Sequence, residues 1–139
     1  GLLCTHRAAE AHTDRYLKQA MDMAEVLMRY QRPDGGWSFR FTEPEEQVGT
    51  GEKAVALWSL LLYQLYRHTG DARHLASARS ALDWCMAHQV WKGPTEALGA
   101  IPGVSPQSAV VYRKWFSISC AYTAGFFAEA LMEELRLSE

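Results

Sequence analysis

Apolar and polar positions alternate along this chain in four long stretches of helical period. In the first, about Asp14 to Gln31, the residues Leu17, Ala20, Met21, Ala24, Leu27 and Met28 form one stripe. Arg15, Lys18, Asp22, Glu25 and Arg29 lie mostly off it, the signature of an amphipathic helix lying over a core. Thr13 is placed to cap its start, and Pro33 with Gly35-Gly36 ends it. The second stretch, about Gly51 to His68, opens after Thr50 as cap and closes at Gly70. From Ala54 to Tyr66 it is apolar nearly all round, interrupted by Ser59 and Gln64, and such a helix must be covered on several sides.

A third helix starts behind Asp71 and runs to about Gln89, with Leu75, Ala78, Leu82, Cys85 and Met86 on one side and Arg73, Arg79, Ser80 and Asp83 off it. The fourth, about Trp115 to Leu135, is again apolar and rich in small residues (Cys120, Ala121, Ala124, Gly125, Ala128), a composition that lets inner helices approach closely. The pattern therefore predicts an all-α chain of two helical hairpins, each an outer amphipathic helix followed by an inner apolar one. Hairpin one spans 13–70 and hairpin two 71–139, after a poorly defined segment over 1–12.

The halves repeat. Met28-Arg29-Tyr30-Gln31 matches Met86-Ala87-His88-Gln89 at a shift of 58 residues, and in each half a Gly-containing loop leads to a Lys, Lys53 or Lys114, opening the inner helix. The turn between hairpins is short, around Gly70-Asp71, whereas the outer-to-inner loops are long. Loops of that length without their own secondary structure usually serve function. Both join corresponding helix ends, so both are expected at one end of the stack, with the positive ends of the inner-helix dipoles.

Composition changes this picture little. The chain has 139 residues, a formal charge of -2 and 48% apolar residues, enough for a core and without the basic stretch of a nucleic-acid binder. Cys4, Cys85 and Cys120 lack the spacing of a disulfide framework or a metal site, so no metal and no cofactor are expected. Buried free thiols fit a cytoplasmic protein, although a secreted one could carry them too. No stretch is apolar for long enough to span a membrane. The start at Gly1 reads as a truncation.

Gln31-Arg32-Pro33-Asp34-Gly35-Gly36-Trp37 fits the Q-x3-G-x-W pattern of α/α toroids, closed rings of inner and outer helices. Together with Gly49-Thr50-Gly51-Glu52-Lys53, the helix Leu57 to Tyr66, Thr69-Gly70-Asp71 and Val111 to Phe116, the chain resembles bacterial six-hairpin glycosidases, nearest to unsaturated glucuronyl hydrolase-like proteins. The acidic DxDD run of terpene cyclases is absent, and zinc ligands of the prenyltransferase kind cannot be placed. Six hairpins at this spacing would need roughly 350 residues, so the resemblance implies a partial chain whose inner helices require neighbouring hairpins or self-association.

The resemblance implies a carbohydrate-active enzyme, a glycoside hydrolase acting on an acidic or plant-type oligosaccharide. A non-catalytic helical binding module and a polysaccharide lyase stay open as alternatives. Glycoside hydrolysis generally uses two carboxylates, one as acid and one as base or nucleophile. Glu52, in the first turn of an inner helix, and Asp34, beside the glycines, are the candidates, each with a structural role in competition: dipole complement for Glu52, turn residue for Asp34. Lys53, Arg113 and Lys114 could hold a uronate carboxylate, with Arg113 offering a bidentate fork. Trp37 and Trp115 could stack on sugar rings, and Tyr112 could stack or, in a lyase, handle a proton. Trp58 and Trp84 fall within helices and are expected in the core.

Overall fold

The structure, a computed structural model, describes residues 13–43, 50–92, 95, 98–101 and 121–139. These residues form four helices, α1 (Thr13–Tyr30), α2 (Glu52–Thr69), α3 (Ala72–Ala87) and α4 (Ala121–Ser138), and no strand. The first part of the fourth predicted helix, 115–120, lies outside the described residues.

The helix ends follow from local chemistry. Asp71 caps α3 by accepting the Arg73 backbone N–H at 2.9 Å, which satisfies one of the orphan donors of a first turn. Arg73 also grips the Asp71 side chain, and these bonds hold its carboxyl down at about 2. Gly70 closes α2 in the left-handed conformation, with its N–H on the Tyr66 carbonyl. The start of α2 departs from expectation. Its cap is Gly51, without a side-chain cap bond, because Thr50 is buried and its hydroxyl accepts from Arg32 instead.

Helix α2 is the centre of the molecule. Val55, Ala56, Ser59, Leu60, Leu61, Leu62, Tyr63 and Leu65 are all buried, as an all-round apolar helix requires. The Ser59 hydroxyl, one break in that pattern, donates to the Ala78 carbonyl of α3 at 2.9 Å. Helix α3 turns Ala78, Ala81, Leu82, Trp84 and Cys85 inward. Helix α1 contributes Ala20, Ala24 and Leu27, while Met21, expected in its stripe, is exposed.

Helix α4 is fastened to α2 and α3 by charge as well as apolar contact. Tyr63 donates its phenol to Glu134 at 2.8 Å, and Arg79 of α3 meets the same carboxylate through two bonds. Burial and the adjoining Glu134 carboxylate push the Tyr63 phenol above its ordinary range, so it stays a neutral donor. Glu133, also buried, accepts from Arg67 of α2 and Arg136 of its own helix. The glutamates near the end of α4 thus lock it in place. The other face of α4 is exposed, and its small residues do not mediate a close approach there: a Cβ on Gly125 would meet nothing within 4 Å.

Two glycines separate these environments. Gly35 has φ of +92° and sits on α3, where an added Cβ would run into the Ser80 carbonyl. Gly35→Ala should lower unfolding stability by on the order of 2–4 kcal/mol through clash and left-handed strain. Gly125→Ala, in open space within a helix, should raise it by about 0.5–1 kcal/mol. Urea titration followed by circular dichroism measures both, and equal effects would contradict the packing described for Gly35.

Candidate functional site

Helix α1 ends in a glutamine, and that side chain organises the turn behind it. Gln31 donates Nε2–H to the Gly35 carbonyl and to the Ser77 carbonyl of α3, both at 3.0 Å, and its own carbonyl oxygen accepts the Ser77 hydroxyl. The backbone closes the same turn: Arg32 N–H donates to Gly36 O, and Gly35 N–H to Arg32 O, each at 2.9 Å.

Helix α3 ends in the equivalent arrangement. Gln89 donates Nε2–H to the Gly99 carbonyl at 2.9 Å. Val90 N–H donates to Ala100 O and Gly99 N–H to Val90 O, each at 2.8 Å. Gly35 and Gly99 both have positive φ, a conformation that a side chain would strain. The residue two beyond each glycine, Trp37 or Ile101, is buried. The sequence repeat at Gln31 and Gln89 is therefore a repeat of hydrogen bonds, made just after the C-terminal ends of α1 and α3.

Within loop one, Arg32 is the hub. Its Nε and Nη2 grip the two oxygens of Asp34 at 3.1 and 2.8 Å, and its Nη1 reaches Thr50 Oγ1 at 2.8 Å. Asp34 Oδ1 also accepts the Gly36 N–H at 3.0 Å. Partial burial pulls the Asp34 carboxyl upward, but Arg32 and the Gly36 N–H outweigh it and hold it below its usual value. A carboxylate so held is ionised at neutral pH and has its oxygens occupied. Such a carboxylate is poorly suited to donate a proton, and its bonds make Asp34 a latch of the loop.

Trp37 also departs from expectation. Its side chain is 1% exposed, its indole N–H donates to the Leu27 carbonyl at 2.7 Å, and Trp58 meets it edge-on at 5.1 Å. Phe41 continues the tier, packed against Trp58 and stacked on Tyr30. Trp37 anchors the loop and presents no face to a ligand. Trp84 is core, as expected, with His88 stacked on it at 3.7 Å.

Among the described tryptophans, the one that presents a ring is Trp91. It is 68% exposed, sits two positions after Gln89 at the start of loop two, and is followed by the exposed Lys92. Sequence patterning had no means of separating it from the other four tryptophans. Its distance from any helical stripe was the one usable signal.

Of the remaining candidates, Glu52 and Lys53 lie in the first turn of α2, with their side chains outside the described part of the structure. Tyr112, Arg113, Lys114 and Trp115 lie outside the described residues. Among the described residues no group of His, Cys, Asp and Glu gathers as a metal cluster, and no helix is long and apolar enough to cross a membrane.

The Asp34 latch has a pH signature. Its depressed folded-state pKa adds stability above the ordinary aspartate range, and that stability is lost as pH falls through the lowered value. Asp34→Asn should therefore be less stable than wild type at pH 7 by up to about 1 kcal/mol, a modest figure because the pair is half exposed and screened. Thermal melts from pH 7 to pH 2 should show the gap closing in acid; a widening gap would contradict the latch.

No protein-family model, no curated protein and no solved structure matches this chain.

Proposed function

We propose that the chain forms two successive hairpins of a carbohydrate-active α/α-toroid protein, a glycoside hydrolase acting on an acidic or plant-type oligosaccharide, with the loop end as its sugar-binding surface. The observation that carries this reading is the exposed Trp91 ring beside Lys92, held at the root of a loop whose frame is fixed by the Gln89–Gly99 bond. A flat indole offers an apolar face to a sugar ring, and an adjacent ammonium offers a partner to a uronate carboxylate. Lys53, Arg113, Trp115 and Tyr112 are expected from the sequence to contribute further cations and rings, with their side chains outside the described part of the structure.

With Asp34 tied to Arg32, Glu52 is the acid/base candidate that remains in this chain. It stands in the first turn of α2, at the loop end of that helix. The second carboxylate of the usual pair would come from elsewhere in the ring. A second reading, a non-catalytic glycan-binding module, is favoured by that same tying-up of Asp34. The two readings share the surface and differ at Glu52.

Titration calorimetry with oligogalacturonides and with neutral oligosaccharides of equal length tests the surface. Acidic oligosaccharides should bind more tightly, and Trp91→Ala should weaken binding about tenfold, the loss of roughly 1.4 kcal/mol of stacking. Equal binding of both sugar classes, or an unchanged affinity in Trp91→Ala, would refute the proposal. Release of reducing ends that Glu52→Gln abolishes without loss of binding would favour the hydrolase over the module.

A further inference from the structure

The two hairpins are unequally covered. Helix α2 is enclosed because the next hairpin, α3 and α4, packs over it. Helix α4 holds the corresponding inner place in hairpin two but is covered on one side only, where Thr123, Phe127, Ala130 and Glu133 are buried. Its opposite side runs through Ala124, Gly125, Ala128, Met132 and Leu135, residues that fall on one helical face. All are exposed, Met132 by 50% and Leu135 by 60%, and no charged residue interrupts the strip.

A second part of the surface is also apolar. Beside its buried Ala24 and Leu27, α1 exposes Met23, Val26 and Tyr30, and Tyr30 continues into the half-covered Phe41. The molecule thus exposes two apolar strips, one on α1 and one on α4.

We propose that copies of this chain associate head to tail, the outer face of α4 in one copy packing against hairpin one of the next. Such a contact would continue the interface already present inside the chain. What covers α2 is a following outer–inner pair. What could follow α4 in the same sense is hairpin one of a second copy, through the strip that α1 leaves exposed. Ala124, Gly125 and Ala128 leave that strip shallow enough for close helix approach, and Met132 and Leu135 supply bulk at its far end. Joining two different surfaces, the contact is heterologous and propagates into a ring or an open array rather than stopping at a symmetric dimer. It requires no carbohydrate ligand.

Sedimentation velocity on the whole chain, alone and in mixtures, tests this. Wild type should exceed dimer mass as concentration rises. Met132→Glu/Leu135→Glu and Met23→Glu/Val26→Glu, each blocked on one flank, should both be monomers with unchanged helical circular dichroism. Mixed in equal amounts, they should form a dimer of one copy each, because each retains the surface the other lacks. Wild type remaining monomeric up to about 100 μM would overturn the proposal, since that excludes even weak micromolar association. So would dimerisation of the α1-flank variant on its own, which would mean that α4 pairs with itself, and so would a mixture that stays monomeric.

Discussion

The side chain of Gln31 reaches two backbone carbonyls that belong to different hairpins, Gly35 in the adjoining loop and Ser77 across on α3. Backbone carbonyls at a helix end and in a turn need donors once water is excluded. Supplying two from one amide fixes the exit of α1, the conformation of the turn and the approach of α1 to α3 together. The buried Trp37, the Arg32–Asp34 latch and the seat of Thr50 all hang from that fixed turn. The fastening of α4 is ionic, through Glu133 and Glu134, and there Tyr63 ties the centre of the fold to it. One molecule thus carries a hydrogen-bonded turn that shapes a loop and a charged cluster that holds helices in register.

The division bears on where chemistry can occur. The polar groups in the described part of loop one are largely committed to each other, leaving that loop a scaffold. Loop two begins from the same geometry but turns an indole and an ammonium outward at Trp91 and Lys92.

Much of the fold was legible because periodicity reports burial. The stripe of Ala20, Ala24 and Leu27, the all-round apolar centre of α2, and the Asp71 and Gly70 signals correspond to what the chain forms. Errors arose where a residue's partner is distant in sequence. Thr50 reads as a cap because it precedes a helix, yet Arg32, eighteen residues earlier, takes its hydroxyl. Trp37 reads as a platform because it lies in a loop, yet the loop folds back to the Leu27 carbonyl. Asp34 could be weighed as a turn residue or an acid from its neighbours, but the fork from Arg32 that settles its charge depends on side-chain direction, which linear spacing does not encode. The apolar character of α4 was visible, but the sequence does not say which of its faces the chain itself covers.

The two turns differ in one respect that their shared bonds conceal. From the glutamine to the glycine it clasps is a step of four residues in loop one and of ten in loop two. The same pair of backbone bonds closes both, and the chain then delivers a buried side chain, Trp37 or Ile101, in the same way. The intervening stretch is therefore a cassette between two fixed posts, free to lengthen and change its chemistry while the helices around it stay put. A fold with such posts can acquire new surface specificity by insertion alone, and each hairpin offers a separate place to do so.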